Sequence, residues 1–230
     1  MLTRRKLIRI CSAIIGISGL VILFSTLYPI ASYEWEADAK YPSLISPLVQ
    51  EKEGIRLSDT DYTHASNWFV GGAGREDFVS QDVSYFSISI PRLKIENATV
   101  AVGGDDLSQS LIQYPETAPP GKNGNTVIFG HSILPIFYNP KNYMSIFSTL
   151  PTLKKGDEIS VNYDGIAYKY RVEVMFEVTP NDIQVLDQDI SDSFLTLVTC
   201  VPPGDPRKLK RLIVRARIVP FRQANATTRY

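Results

Sequence analysis

The hydrophobic pattern divides the chain into three regions of different character. Residues 10–27 carry no charge and few polar groups, whereas residues 33–81 are polar with scattered prolines. From residue 82 onward, short apolar segments alternate with turn residues. Within 84–90 the apolar residues recur at every second position, with Ile88 and Ile90 on one face, which is typical of a half-buried β-strand.

Further segments of the third region have the same character as 84–90. They are rich in β-branched and aromatic residues and bounded by Gly, Pro, Asn or Asp: 98–102, 126–129, 158–163, 166–178, 194–199 and 212–219. Asp164 and Gly165 predict a two-residue hairpin between two of them. One or two short helices are expected, near 106–113 and 142–148. The pattern predicts one mostly β domain over 82–220, a barrel or a sandwich, because strands do not alternate regularly with helices.

The apolar run 10–27 is long enough to cross the roughly 30 Å hydrocarbon core of a bilayer as a helix. Basic residues precede it and acidic residues follow it, so the positive-inside rule places the N-terminus in the cytoplasm and the rest outside the cell. A cleaved signal peptide is the alternative, but the run exceeds a usual signal core and no clear Ala-x-Ala site follows. We therefore predict a basic tip and membrane anchor over 1–32.

The polar region 33–81 is predicted to be a stalk, and residues 221–230 a loose tail. Trp68 and Phe69 are conspicuous in this polar stalk. Two interpretations stay open: the two rings pack on the surface of the β domain, or they plug a groove as a lid would.

Charge and cysteine content narrow the functional classes. The 24 basic and 24 acidic side chains cancel, and no basic stripe interleaved with aromatic residues occurs, so nucleic acid is not expected as a partner. Cys11 lies in the apolar run and Cys200 in the β region, so a disulfide between them is not expected. A lone thiol outside the cytoplasm is either an intermolecular linker or a reactive group.

Three residues at predicted strand ends carry candidate chemistry. Cys200 ends the segment 194–199, His131 follows 126–129, and Arg211 opens the last strand. An adjacent imidazole or guanidinium activates a thiol, and a fixed cation stabilises the oxyanion formed when a thiolate attacks a peptide carbonyl. Each residue taken alone could also be structural, as a buried cysteine, a loop histidine or a solvated cation.

Four segments resemble the sortase family. Residues 88–95 look like its opening Ile-Pro-x-x-x-Ile strand, and residues 120–131, which begin Pro-Gly and end Gly-His, resemble the segment that ends in its catalytic histidine. Residues 196–200, Thr-Leu-Val-Thr-Cys, match its nucleophile motif, and residues 211–214 look like the strand that supplies its catalytic arginine. The resemblance runs from about residue 87 to 219, in the family's order of His, Cys and Arg.

The resemblance implies an eight-stranded β-barrel outside the cell and a cysteine transpeptidase. Cys200 would be the nucleophile, His131 the acid and base, and Arg211 the cation, with Leu197, Thr199 and Ser132 as candidate substrate-binding residues. The substrates would be surface proteins that carry a sorting signal similar to Leu-Pro-x-Thr-Gly, cut between Thr and Gly. The acceptor would be an amine of a cell-wall precursor or of a pilin lysine. No metal or cofactor is implied; calcium regulates some members, but no dedicated acidic cluster indicates it here.

Some features depart from the family pattern or leave alternatives open. The loop 201–208 separates Arg211 from Cys200 more than in some members, so Arg207 is a second candidate for the cation. Pilin-polymerising members usually carry a C-terminal span and an Asp-Pro-aromatic lid, which are not found here, so anchoring of surface proteins is favoured over pilus assembly. Two other functions use the same fold: a hydrolytic cysteine protease, and a non-catalytic membrane-anchored binding domain.

Overall fold

The computed structural model describes residues 4–41, 61–79 and 84–220. The regular elements are α1 Arg4–Lys40, α2 Arg75–Phe78, β1 Ser84–Ile90, β2 Ile95–Val102, β3 Leu111–Gln113, β4 Gly124–Phe129, β5 Glu158–Tyr163, β6 Ile166–Val178, β7 Ser193–Val201 and β8 Lys210–Ile218. The predicted tail 221–230 and residues 42–60 and 80–81 of the predicted stalk lie outside the described residues.

The eight strands close into one barrel in the order β1-β2-β3-β4-β7-β8-β6-β5, and β5 pairs back onto β1. The pairs β2–β3 and β4–β7 are parallel, and the other pairs are antiparallel. The prediction of a mostly β, eight-stranded barrel preceded by an apolar N-terminal helix is confirmed. The barrel, not the sandwich, is the architecture that the strand pattern produces.

The hairpin between β5 and β6 forms where the sequence predicts it. Tyr163 pairs with Ile166, which leaves Asp164 and Gly165 as the two turn residues. Both have positive φ, 51° and 73°. This is the backbone that a tight primed turn requires, and Asp and Gly adopt it at little energetic expense.

Two apolar clusters lie on opposite faces of the barrel wall, as the two-residue period of β7 shows. Leu195 and Leu197 belong to a cluster with Ile88 and Ile90 that fills the interior. Val198 and Cys200 belong to the other cluster, which residues 61–79 cover. The alternation therefore directs the Cys200 side chain away from the interior and beneath the covering segment.

The structure does contain a short helix, α2 Arg75–Phe78, but the positions predicted for the short helices, 106–113 and 142–148, are wrong. Residues 111–113 are strand β3, whose Leu111 and Ile112 pair in parallel with β2 and are buried. Residues 142–148 form successive turns with hydrogen bonds between residues three apart, such as Ser145 N to Asn142 O at 2.9 Å. Tertiary burial determines the conformation of 111–113, which is too short for a periodicity signal.

Helix α1 contains the apolar run and continues beyond it. The segment Ile8–Ala37 is long and apolar enough to cross a membrane, and its most apolar 18-residue window has a mean hydropathy of 2.3. The last turns of α1 pack on the barrel: Tyr33 donates a hydrogen bond to Glu177 at 2.6 Å, and Tyr41 donates one to the carbonyl oxygen of Pro151 at 3.0 Å. Part of the region predicted as a stalk is therefore helix that lies against the barrel.

Candidate active site

Cys200 and Arg211 occupy directly opposed positions near one end of the barrel. They are cross-strand partners in the antiparallel pair of β7 and β8. Directly opposed residues have side chains within a few ångströms of each other at their bases. The loop of residues 202–209 therefore does not separate the two residues in space, although it separates them in sequence.

His131 is held on the other flank of Cys200. Strand β4 runs parallel to β7, with Phe129 opposite Val198, and the Gly130 amide continues the ladder by donating to the carbonyl oxygen of Val198 at 3.1 Å. Two side chains then tie the strand ends together. Thr199 donates its hydroxyl to the carbonyl oxygen of Gly130 at 2.8 Å, and Ser132 donates to that of Cys200 at 2.7 Å. The ends of β4, β7 and β8 thus place His131, Cys200 and Arg211 side by side.

Gly130 is required immediately before His131 because there is no room for a side chain. A Cβ atom built there would lie 2.3 Å from the ring of Phe147 and 2.6 Å from Leu111. These distances are far below any van der Waals contact. The packing of this glycine lets β4 approach its neighbours closely, which fixes the start of the loop that carries His131.

The candidate substrate-binding residues occupy positions that support the site. Leu197 is fully buried in the interior cluster, on the opposite face of β7 from Cys200. The Thr199 and Ser132 hydroxyls are engaged with the backbone of Gly130 and Cys200. Leu197 and Thr199 thus lie on the face of β7 opposite to Cys200, because a strand alternates its side chains, whereas Ser132 follows His131 and its hydroxyl is bonded to the backbone of Cys200.

Trp68 packs over His131 and Arg211 and belongs to the same apolar cluster as Cys200. Its ring is fully buried, stacks on Phe129 at a centroid distance of 5.2 Å and meets the His131 ring edge-on at 6.3 Å. The indole N–H donates to the carbonyl oxygen of Tyr62 at 2.9 Å, so its polar atom is satisfied. Of the two interpretations of the aromatic pair, the lid is the one that this geometry supports.

Arg211 is fully buried and bound to the covering segment. Its Nε and Nη2 donate to the carbonyl oxygen of Trp68 at 3.2 and 3.0 Å, and its Nη1 donates to that of Lys208 at 2.6 Å. The guanidinium carbon also lies 5.3 Å from the ring centre of Tyr62 and 5.6 Å from that of Trp68. Backbone carbonyls and aromatic faces thus surround the charge, leaving it able to bind another carbonyl oxygen if Trp68 moves.

Arg207, the second candidate for the cation, is directed elsewhere. Its guanidinium lies 2.6 Å from the Asp205 carboxylate and 3.8 Å from that of Glu34, and it is largely exposed to solvent. The charge of Arg207 is therefore paired with two carboxylates and is not directed toward the thiol. Arg211, and not Arg207, lies directly opposite Cys200 on the neighbouring strand.

Asp105 anchors the covering segment to the barrel. Its buried carboxylate accepts a hydrogen bond from the Ser66 amide at 2.8 Å and lies 3.0 Å from Nδ1 of His64 and 3.6 Å from Nε of Arg75. Its backbone carbonyl also accepts from the Ala65 amide at 2.9 Å. Asp105 thus contacts four residues of the covering segment that lie on either side of Trp68 in the sequence.

The covered site excludes solvent, and this changes the pKa of the histidine. Cys200 is 1% exposed and His131 is 4% exposed. Burial, with a smaller repulsion from Lys208, lowers the pKa of His131 from 6.5 to about 4. The imidazole is therefore neutral at pH 7. Because Cys200 is buried, a peptide cannot reach the thiol until the covering segment moves.

A metal site is not part of this arrangement in the residues described. Among residues 4–41, 61–79 and 84–220, no group of three or more His, Cys, Asp or Glu side chains could hold a metal ion.

The carbonyl oxygen of Trp68 and the carboxylate of Asp105 were not identified from the sequence. Backbone atoms carry no sequence signal, and Asp105 looks like an ordinary turn residue after Gly103 and Gly104. The adjacent aromatic rings of Trp68 and Phe69 in a polar stretch were the signal that could have located the cover. Phe129 and Val198 were predicted only as strand residues, and the sequence did not show that they lie beside Cys200 under the covering segment.

Comparison with known proteins decides the family. The family model of the sortase domain matches residues 88–219, which is more than half of the chain and includes His131, Cys200 and Arg211. The chain belongs to the sortase family. The match confirms the resemblance that the four sequence segments indicate.

Individual relatives are similar to the sortase domain of this chain. Sortase A of Bacillus anthracis is 31% identical over 133 residues, 57% of this chain and 58% of that protein. Sortase A of Streptococcus agalactiae serotype III (strain NEM316) is 29% identical over 132 residues, 57% of this chain and 51% of that protein. The chain thus spans between half and three fifths of the curated relatives it matches.

Among solved structures, a lid mutant of sortase A from Corynebacterium diphtheriae superposes with a TM-score of 0.52 at 30% identity. The superposition covers 61% of this chain and 73% of that one.

Proposed function

We propose that this sortase is a membrane-anchored cysteine transpeptidase. It would cut a sorting signal similar to Leu-Pro-x-Thr-Gly between Thr and Gly and transfer the new acyl end to an amine. The observation that carries the proposal is the pairing of Cys200 with Arg211 across β7 and β8, with His131 held on the flank by the β4–β7 ladder. A buried thiol, imidazole and guanidinium at adjacent strand ends have no evident structural purpose, but they are the set that acyl transfer requires.

The first half of the reaction forms a thioester. Once Trp68 has moved, Sγ of Cys200 attacks the threonine carbonyl carbon, and the thiol proton passes to the His131 imidazole. The developing oxyanion is stabilised by Nε and Nη2 of Arg211, the donors that Trp68 occupies through its own carbonyl oxygen. The bond to glycine then breaks, and His131 returns its proton to the departing amine.

The second half of the reaction restores the thiol. The acceptor amine attacks the thioester carbonyl and gives a proton to His131. The carbon–sulfur bond breaks, Cys200 regains its proton, and a new amide is formed. Water would follow the same route to a free acid, so exclusion of water by the walls of the site favours transfer over hydrolysis.

The partners and location follow from the same proposal. The donor would be a secreted protein with a C-terminal sorting signal, and the acceptor an amine of a cell-wall precursor or a pilin lysine. Helix α1 would span the cell membrane with its basic tip in the cytoplasm, which places the barrel outside the cell. Neither a metal nor an organic cofactor is part of the proposed mechanism.

The test is a cleavage assay on the full chain with fluorogenic Leu-Pro-x-Thr-Gly peptides. Each reaction is run with and without an amine acceptor, for the wild type and for Cys200→Ala. We expect cleavage that depends on the thiol and gives an amide product when the amine is present. Acid product alone would favour a hydrolytic protease. No cleavage by a protein whose uncovered Cys200 also resists alkylation would favour a binding domain and contradict the proposal.

A further inference from the structure

Two large apolar side chains project into solvent from the loop that His131 begins. Ile136 is 66% exposed and Phe137 is 64% exposed, and they are adjacent. Because the two side chains are adjacent, they form one small apolar surface, and contiguous apolar surfaces are a feature of sites that contact a membrane or a partner.

The turn that presents them is well ordered by its own hydrogen bonds. Residues Pro135–Phe137 form a 3₁₀ turn in which the amides of Phe137 and Tyr138 donate to the carbonyls of Leu134 and Pro135 at 2.9 and 3.0 Å. The Tyr138 hydroxyl also bonds the carbonyl oxygen of Leu93. The backbone of the turn is therefore satisfied while its two apolar side chains point outward.

The cavity beside this turn identifies its surroundings. Pro135 shares the cavity wall with residues of α1 from Pro29 to Lys40. The uncharged run of α1 ends near Leu27, and at 1.5 Å per residue the part of the wall from Pro29 to Ser32 lies within about 8 Å of that end. The headgroup layer on each side of a bilayer is about 5–8 Å deep. If α1 spans the membrane, Pro135 borders a cavity whose lower part lies at the level of the headgroups.

Further contacts hold the barrel beside the part of α1 that directly follows the uncharged run. Tyr33 donates a hydrogen bond to Glu177, and Tyr41 donates one to the carbonyl oxygen of Pro151. Tyr28 of α1 is exposed just after the uncharged run, at the position where amphipathic rings anchor proteins in the membrane interface.

We infer that Ile136 and Phe137 insert into the membrane surface beside α1 and hold the His131 end of the barrel against the bilayer. The occupant of this apolar surface is thus the lipid interface. The inference rests on the proposed membrane anchoring, and it adds that the catalytic end faces the membrane. An amine carried on a lipid would then be presented directly at the site.

Fluorescence quenching by brominated lipid tests the inference on the full chain. In a Trp35→Phe background, Phe137→Trp adds an indole at the turn, and Ile190→Trp adds one at a matched control position. Ile190 is 74% exposed and lies three residues before Ser193, which starts β7 about 23 Å from Cys200. Both proteins are reconstituted into phosphatidylcholine–phosphatidylglycerol vesicles with or without bromines near the upper end of the acyl chains.

We expect the emission added by Phe137→Trp to be quenched at least about twofold more than that added by Ile190→Trp, because interfacial side chains sit about 5–10 Å into the headgroup–acyl boundary. Ile136→Trp repeats the measurement, so a local packing change in one variant does not decide the result. Equal quenching of all the added indoles, in protein that floats with the vesicles, would overturn the docking inference alone. Protein that does not float with the vesicles would overturn both the anchoring and the docking.

Discussion

The backbone carbonyl oxygen of Trp68 accepts two hydrogen bonds from Arg211, at 3.2 Å from Nε and 3.0 Å from Nη2. A peptide carbonyl of the protein itself thus occupies the donors that the proposed mechanism assigns to the substrate. The Trp68 ring meanwhile covers His131 and stacks on Phe129. The covering segment and a substrate peptide cannot occupy the site together, so access depends on displacement of residues 61–79.

Trp68→Ala is expected to expose the thiol. Replacing a buried tryptophan by alanine removes about 3–5 kcal/mol of packing, and a shift of 1.4 kcal/mol toward the open state changes its population tenfold. We expect alkylation of Cys200 by iodoacetamide to accelerate at least tenfold, measured by mass spectrometry in a Cys11→Ala background. Trp35→Ala is the matched control, since Trp35 is largely exposed. Equal alkylation rates in wild type and Trp68→Ala would show that Trp68 is not the cover.

Asp105→Asn is expected to loosen the covering segment without removing it. The amide keeps an acceptor for Ser66 but loses the charge that faces His64 and Arg75. Hydrogen–deuterium exchange of residues 61–79 should accelerate several-fold. The neighbouring Asp106→Asn is the control, because its side chain accepts from the Ser108 amide and not from the covering segment. Similar exchange in both variants would contradict the anchoring role of Asp105.

The His131 imidazole is expected to titrate near pH 4 in the covered protein. Nuclear magnetic resonance of the imidazole nitrogens can follow it, because the chain has only two histidines and His64→Gln assigns the signals. In Trp68→Ala the pKa should rise toward 6.5, since water then reaches the ring and burial is the main cause of the shift. An unchanged low pKa in Trp68→Ala would mean that the barrel alone buries the ring.

The same shift makes stability depend on pH. The pKa of His131 is about 4 when folded and near 6.5 when unfolded, so between these values the unfolded chain binds a proton that the folded chain does not. The free energy of unfolding therefore falls as pH falls from 6.5 to 4, by up to about 3 kcal/mol. Denaturant titrations in detergent should show this contribution in the wild type and its loss in His131→Gln.

Arg211→Lys is expected to remove catalysis although it keeps the charge. Lysine cannot supply two parallel donors to one oxygen, and losing an oxyanion donor lowers kcat by about 10²–10³. The comparison is made in the Trp68→Ala background, so that weakening of the cover does not obscure the result. Arg215→Lys, on the same strand but opposite Thr196, should leave kcat within a few-fold of its parent. Equal losses in both variants would point to a structural role for Arg211.

The strands, and the places of Cys200 and His131 at strand ends, could be predicted from the sequence for local reasons. The two-residue alternation of β1 and the positive-φ pair Asp164 and Gly165 act over a few residues, so their outcome does not depend on the rest of the fold. Cys200 and His131 stand at strand ends beside Gly and Pro, where local sequence again shows the end of the element. These positions match the structure, whereas the catalytic roles of the two residues stay a prediction.

The cover over the site could not be derived in the same way. Trp68 bonds Arg211, a residue 143 positions away, through a backbone oxygen that any amino acid would carry. Strand β3 has three residues and exists because Leu111 and Ile112 are buried between neighbouring strands, which no local pattern shows. Leu197 was expected to bind substrate from its place in a motif, but strand alternation directs it into the interior.

The most direct test of the central claim is to trap the acyl enzyme. Trp68→Ala in a Cys11→Ala background is mixed with a Leu-Pro-x-Thr-Gly peptide without amine, quenched in acid and examined by intact mass spectrometry. We predict a mass increase equal to the peptide's N-terminal fragment, located on Cys200, removed by hydroxylamine and absent in His131→Gln. No adduct on Cys200 in a variant whose thiol is demonstrably alkylated would contradict the thioester mechanism.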